Sequence, residues 1–427
     1  MVRMESLYPA KIYVELTTRC NLHCPMCVKQ AEGSCIVEGD MPLAVFKRLL
    51  PSLAHTRTLV LNGIGEPLLH PELEEVIRLA RGWMPADAAI GFQSNGFLLD
   101  RHRAERLMAA GLDTVCLSLD GIDQDEAGGG HAIFAVSRAV EALIQAREAT
   151  GRRFRIGIET VLSRETIAEL PELVRWAIGQ EVDYLIATNL FLYDGSAAAG
   201  SLFNPNSTDA VAIFDKYNLL ATAQGLSLHR YLAAYLKFTK TAADRELLGL
   251  VERMQREARD KDIHLHLPSL IEHAAGDQGS VAEAFSAARA IAGRHGLELF
   301  LPPLQAPAER SCPFINDQAT FVALNGDVMP CHFLWHSYSC RVQGEEIPVR
   351  QRIFGNIRRQ TLKEIWRGDG YRQFRHQAAS ADYASCWSCS LGPCPALIND
   401  DLYANDCYGS VVPCGHCQWS LGGIRCL

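Results

Sequence analysis

The chain has 427 residues, enough for more than one domain, and its 48% hydrophobic and 21% charged residues are an ordinary globular balance. A net charge of −8 supplies no global basic field for nucleic acid or an anionic membrane, so neither is expected as a partner. No uninterrupted apolar run reaches the roughly 18 residues of a membrane span, and the first residues lack a secretory pattern, so a cytoplasmic chain is expected.

The first expected element is a strand over 12–16. It runs into Thr17, Thr18 and Arg19, and then into Cys20, Cys24 and Cys27 at C-x3-C-x2-C spacing. Soft thiolates hold iron–sulfur clusters or zinc. A thiolate triplet in one loop caps three corners of a cubane and leaves one iron open to a small molecule. A structural zinc site would instead close with a fourth ligand, for which His23 is the neighbour.

From this loop to about residue 189, short β-rich runs alternate with amphipathic helical patterns. Strands are expected over 12–16, 58–61, 89–93, 114–119, 155–161 and 184–188. Helices are expected over 42–53, 71–82, 101–110, 132–150 and 165–179. Such alternation predicts a parallel α/β fold over the first part of the chain. Sites in these folds lie at the C-terminal ends of the strands, where the cysteine triplet sits. Other strand ends carry Gly63, Gly65 and Glu66; Ser94 and Asn95; Ser118 and Asp120; and Glu159 and Asn189. Each alone reads as a turn or cap. Their shared edge makes them candidate ligand contacts.

Residues 195–305 are rich in Ala and Leu and contain no cysteine. Helices are expected over 208–223, 243–260 and 280–295, each leading into an alternating run. This reads as a helical insertion or bridge with a weak helix–strand repeat. His264 and His266 would share one strand face, as solvent-facing residues or as a metal pair.

The 15 cysteines are unevenly spread, with Cys312, Cys331, Cys340, Cys386, Cys389, Cys394, Cys407, Cys414, Cys417 and Cys426 in the last part of the chain. Without an export signal such a density points to metal rather than disulfides. Cys312 and Cys331 flank a hairpin turn at Asn325-Gly326-Asp327. Cys386-x2-Cys389 and Cys414-x2-Cys417 are metal-gripping pairs, open to auxiliary iron–sulfur clusters or to a zinc knuckle. Cys35, Cys116 and Cys340 have no useful spacing and read as ordinary apolar or surface residues.

With the triplet Cys20-x3-Cys24-x2-Cys27 and Gly63-x-Gly65-Glu66-Pro67 after the second strand, the chain resembles a radical S-adenosylmethionine (SAM) enzyme, which implies a partial (β/α)6 TIM-like barrel spanning 1–194. Residues 306–427 resemble a cysteine-rich SPASM domain through Cys312, Gly326 and Cys331. The usual C-x2-C-x5-C-x3-C is altered here to Cys386-x2-Cys389-x4-Cys394, with Cys407 or a later residue in the last place. Asp406-Cys-Tyr-Gly and Cys414-Gly-x-Cys-x-Trp, with Cys426 near the end, resemble maturases that serve tungsten-cofactor oxidoreductases. The resemblance implies a [4Fe-4S] cluster on Cys20, Cys24 and Cys27 that binds SAM. It also implies two auxiliary clusters drawn from Cys312, Cys331, Cys386, Cys389, Cys394, Cys407, Cys414, Cys417 and Cys426. Gly63, Gly65 and Glu66 would hold the methionyl amine, with Ser94, Asn95, Ser118 and Asp120 as further SAM contacts. The implied activity is reductive cleavage of SAM to a 5′-deoxyadenosyl radical, which abstracts hydrogen from a peptide, protein or metalloenzyme-cofactor substrate. An external donor such as flavodoxin or ferredoxin would supply electrons. The competing reading is a non-catalytic iron–sulfur carrier or cluster scaffold.

Overall fold

The computed structural model describes residues 6–31, 34, 36–121, 129–193, 200–274, 278–307, 310–342, 345–381, 383, 384, 386, 407, 413–425 and 427. Cys35, Cys389, Cys394 and Cys426 lie outside them.

The expected strands form as β1 (Lys11–Val14), β2 (Thr58–Val60), β3 (Ala89–Ser94), β4 (Thr114–Ser118), β5 (Arg155–Leu162) and β6 (Tyr184–Asn189). They pair in sequence order and all in parallel. Parallel strands need helical crossovers, which cover the outer face and leave both sides of each strand buried. Every residue of β6 is accordingly buried.

The helices carry the apolar stripe that this covering requires. Leu73–Trp83 buries Leu73, Val76, Ile77 and Ala80, spaced along one face. Arg101–Ala110 starts where the Asp100 side chain accepts the Arg103 N–H, and it stops at Gly111 with φ +112°. The stretch 42–53, expected as one helix, is instead Leu43–Phe46, a 3-10 turn Lys47–Leu49, and Leu50–Leu53. Pro51 lacks an N–H and crowds the carbonyl one turn back, which breaks the continuous ladder.

The sheet is ten-stranded and extends beyond the expected strands at both edges. Glu298–Phe300 adds in parallel to β6, and Ala319–Val322 adds in parallel to β1. The latter turns back through Gly326, at φ +91°, into antiparallel Asp327–Met329. The cysteine-rich segment is thus built onto the first strand, directly beside the thiol loop that follows it.

In the middle stretch, the helices Thr208–Ala223 and Ala242–Asp260 form with Tyr231–Leu236 and Leu267–Ala274 around a core of their own. Gln278–His295 differs, because Val281, Phe285, Ala288 and Ile291 join the main core. The helix–strand repeat does not form. Of the alternating runs only Glu298–Phe300 is a strand; Leu228–Arg230 is a 3-10 turn, and 262–266 is irregular before Leu267–Ala274. Among the described residues no strand pairs with the first two runs, so their alternation has no sheet to join. His264 and His266 do not share a face. His264 is exposed, whereas His266 is buried with its backbone N–H on Asn206 Oδ1, and burial lowers its pKa to about 4.

Candidate active site

The cysteine triplet leaves β1 in a tightly anchored loop. Arg19 donates from Nε to Asp40 Oδ1 at 3.0 Å and from Nη2 to the Leu69 carbonyl at 2.8 Å. Lys29 Nζ reaches the Thr18 carbonyl at 2.8 Å and Glu38 Oε1 at 2.7 Å. Within the loop the Cys27 N–H donates to the Cys24 carbonyl at 3.0 Å, so these thiols sit across one turn. Cys24 is exposed, and Cys20 and Cys27 are half-buried. His23 is exposed as well.

Desolvation raises the Cys24 and Cys27 thiols above their usual value. Cys24 is raised further by the nearby Asp120, Cys27 and Cys20, and Cys27 by Cys20. The raised values favour neutral thiols, and ionising all three would set like charges side by side. A bound metal centre would supply the positive charge that offsets this repulsion.

The turn after β2 packs onto this loop with no room to spare. A Cβ on Gly65 would lie 2.4 Å from the Thr17 carbonyl oxygen and 2.6 Å from that of Arg19. A Cβ on Gly63 would lie 2.4 Å from Glu15 Cγ. Both glycines are therefore required by close approach of backbone to backbone or to a buried side chain. The Glu66 N–H donates to the Arg19 carbonyl at 2.8 Å, joining turn and loop directly.

Glu66 is buried, and its carboxylate is spent on holding the site together. Oε1 accepts the Leu68 N–H at 3.0 Å and the Ser94 hydroxyl at 2.8 Å, while Oε2 accepts the Asn95 N–H at 2.8 Å. Burial raises its pKa against these hydrogen bonds. Asn95 in turn donates from Nδ2 to Asn21 Oδ1 in the thiol loop at 2.9 Å. Gly63, Gly65, Glu66, Ser94 and Asn95 thus form one connected rim around the cysteines.

Deeper in the barrel, Asn62 donates to Gln93 at 3.2 Å, and Gln93 donates to Ser118 at 3.4 Å. Ser118 is in register with Glu159 on β5. Asp120 accepts the Val161 N–H at 3.0 Å, and burial raises its pKa. Burial, then Asp120, pushes Glu159 up to about 8. Its Oε2 has no hydrogen-bond partner among the described residues. Sequence reading noted Glu159 only as a strand-end residue, and burial distinguishes it.

Sequence reading also passed over Glu15. It is fully buried at the end of β1, where its Oε1 accepts the Ile64 N–H at 3.2 Å and meets His336 Nε2 at 3.0 Å. The signal was present as a carboxylate inside an otherwise apolar strand. Its partner His336, from the cysteine-rich segment, is 321 residues away in sequence.

The C-terminal thiols gather below this segment. Cys312 caps the short helix Pro313–Asn316, and Cys331 follows the Asp327–Met329 strand. Cys414 and Cys417 flank one turn, in which the Cys417 N–H donates to the Cys414 carbonyl at 3.1 Å. The Ser420 hydroxyl pins that turn through both cysteine carbonyls, at 2.8 and 2.7 Å. Burial raises Cys331 to about 12, with Cys312 adding to it. Cys414 and Cys417 are raised well above the usual value by burial and then by these neighbouring thiols. Cys386 abuts the same turn: a Cβ on Gly415 would lie 2.9 Å from its Sγ. Cys407 is exposed. Of the pairing of Cys386 and Cys389 with Cys414 and Cys417, Cys389 lies outside the described residues; Cys386 is beside the Cys414–Cys417 turn, and Cys312 and Cys331 are near enough to act on both of its thiols. Cys116 and Cys340 are buried, in line with an apolar role. Among the described residues no group of His, Cys, Asp and Glu has closed into metal-ligand geometry.

Comparison with known proteins agrees with this arrangement. Residues 14–177 match the radical SAM superfamily, and residues 312–390 match SPASM, an iron–sulfur cluster-binding domain. The tungsten-containing aldehyde ferredoxin oxidoreductase cofactor-modifying protein of Pyrococcus furiosus is 26% identical over 425 residues, 97% of this chain and 96% of that protein. The PqqA peptide cyclase of Rhodopseudomonas palustris is 29% identical over 198 residues, 43% of this chain and 48% of its own length. The GTP 3′,8-cyclase of Chlorobaculum tepidum is 35% identical over 117 residues, 27% of this chain and 34% of its own length. The chain is a radical SAM enzyme with a C-terminal iron–sulfur SPASM domain.

Proposed function

We propose that this enzyme is a maturase whose substrate is the cofactor of a tungsten-containing oxidoreductase. The observation that carries the reading is the extent of the similarity. The cofactor-modifying relative matches across 97% of this chain, whereas the peptide cyclase matches 43% of it. The cysteine-rich segment and the middle helices are thus shared with the first relative.

Cys20, Cys24 and Cys27 would hold the SAM-binding [4Fe-4S] cluster, which supplies the reducing electron and the open iron that SAM chelation needs. The rim built from Gly63 to Asn95 presents backbone carbonyls to the methionyl amine, because the Glu66 carboxylate is already engaged. Ser118 and Asp120 line the barrel below. Cys312, Cys331, Cys414 and Cys417 are the ligand set for one auxiliary cluster. Cys386 and Cys407, with Cys389, Cys394 and Cys426, remain for a second. The domain plan is 1–194 for the barrel, 195–305 for the insertion and 306–427 for the auxiliary clusters, with flavodoxin or ferredoxin as donor.

A carrier or scaffold has no use for a glycine turn pressed against a thiol loop, and this speaks against the competing reading. The test is anaerobic reconstitution, with about 11–12 irons per chain expected. With SAM and dithionite the protein should form 5′-deoxyadenosine. Incubation with an oxidoreductase produced without its maturase should raise that enzyme's activity. Iron without SAM cleavage under strong reduction would instead indicate a carrier.

A further inference from the structure

At the end of the strands opposite the thiol loop lies a cavity of about 1080 Å³. Lys11, Ala89, Thr114, Arg155 and Tyr184, at or near the first positions of their strands, line it. It is at the upper end of the range of small-ligand pockets, about 300–1,000 Å³. None of the residues assigned above to SAM or to a cluster lines it.

The walls have two chemistries. Tyr13, Tyr184, Phe300, Phe314 and Trp419 give aromatic surface, and Lys11, Arg152, Arg153, Arg155 and Arg425 bring positive charge. The carboxylates present are Asp87, Asp113 and Asp317. Asp113 is engaged by Arg81, Asp317 lies 3.7 Å from Lys11, and Arg155 pairs with Glu298 outside the cavity lining at 2.9 Å. Among the described residues, Arg152, Arg153 and Arg425 have no ion-pair partner. In a chain of net charge −8 this concentration of unneutralised guanidinium is out of keeping with the rest of the molecule.

The guanidinium geometry narrows the ligand further. Arg155 lies 4.8 Å from the Tyr184 ring centroid and Arg425 lies 4.1 Å from that of Phe300. A guanidinium stacked by its face keeps its N–H edge free for an oxyanion. Arg155 spends its edge on Glu298, whereas Arg425 over Phe300 keeps one, and Arg152 and Arg153 add two guanidinium groups; with the aromatic walls these three match a planar ring that carries phosphate.

We propose that this cavity is a binding site for a phosphate-bearing aromatic ligand of the nucleotide or flavin mononucleotide kind, separate from the SAM site. The ring packs among Tyr184, Phe300 and Trp419, and the phosphate takes the edges of Arg152, Arg153 and Arg425.

The test is calorimetry on the full chain with ADP, GDP and FMN in saturating SAM, which fills the thiol-loop site. Adenosine and inorganic phosphate serve as single-feature controls. At least one phosphate-bearing ligand should bind with a Kd below about 100 µM, and both controls about tenfold or more weaker. The Arg152→Ala/Arg153→Ala double variant and Arg425→Ala should each weaken binding about tenfold. The first two are surface side chains without ion pairs, so the double variant should melt as the parent does. The proposal is overturned if none of the three ligands binds more tightly than about 1 mM. It is equally overturned if inorganic phosphate binds as well as the best of them, if saturating SAM abolishes binding, or if the arginine variants bind unchanged.

Discussion

The two thiol groups of this enzyme are built on opposite plans. Cys20, Cys24 and Cys27 come from one loop, with Cys24 open to solvent and a glycine turn beside it. Cys312, Cys331, Cys414 and Cys417 come from three separate segments, and Cys414 and Cys417 are buried beneath aromatic and apolar side chains. A site that must admit a ligand keeps an open position, while one that only stores charge closes around its metal. The contrast is what the proposed function requires, with ligand chemistry at the first group and an internal redox role at the second.

Breaking the first site should have the largest effect. Cys24→Ala removes one of the three thiols proposed to hold the SAM-binding cluster, so 5′-deoxyadenosine formation should fall at least about 1,000-fold, roughly 4 kcal/mol of barrier. About 8 of the 11–12 irons should remain, because the auxiliary thiols are untouched. Loss of all iron would show that the two sites do not assemble independently.

Gly65→Ala comes next. Its Cβ has only backbone to meet, at 2.4 Å from the Thr17 carbonyl oxygen, so the turn must move off the thiol loop. Overpacking of this kind costs about 1–3 kcal/mol. A lower Tm and a SAM KM raised by about tenfold or more are expected; an unchanged KM would show that the turn does not seat SAM.

Cys414→Ser sharpens the other side of the comparison. SAM cleavage should persist while product formation drops and about 4 irons are lost, as iron analysis against 5′-deoxyadenosine yield would show. Persistence of all auxiliary iron would remove Cys414 from the ligand set.

The smallest effect concerns pH. Glu159 has a folded pKa raised to about 8 by burial and then by Asp120, above its value of 4.5 in an exposed setting. The folded state then holds a proton that the unfolded state has released. Stability from this group is full below about pH 4.5 and is lost as pH rises towards about 8. Glu159→Gln has no such proton, so its Tm should fall less between pH 5 and 8. Parallel Tm profiles would mean that the residue is not buried as a neutral acid.

Much of this protein was readable from the chain itself. Strand and helix periods repeat locally, so β1 to β6 and the helix Arg101–Ala110 form where their patterns put them. The thiol loop and the Gly63–Glu66 turn were also legible, because spacing within a few residues fixes which side chains converge. What the sequence left open needed distant segments to meet. Among the described residues no strand pairs with the alternating runs near 225 and 262, while Glu298–Phe300 pairs in parallel along the free edge of β6. The buried Glu15 pairs with His336 across 321 residues, which no local pattern encodes. The nearness of Cys414 and Cys417 to Cys312 and Cys331 was equally invisible to spacing. Ala319–Val322 docks on β1 between Cys312 and Cys331, and the end of the chain is tied to β6 by Asn189 donating to the Gly423 carbonyl and by the Arg425 N–H donating to Thr188. Local chemistry is set by neighbours in sequence, whereas the grouping of thiols was decided by which strand edges were free to be covered.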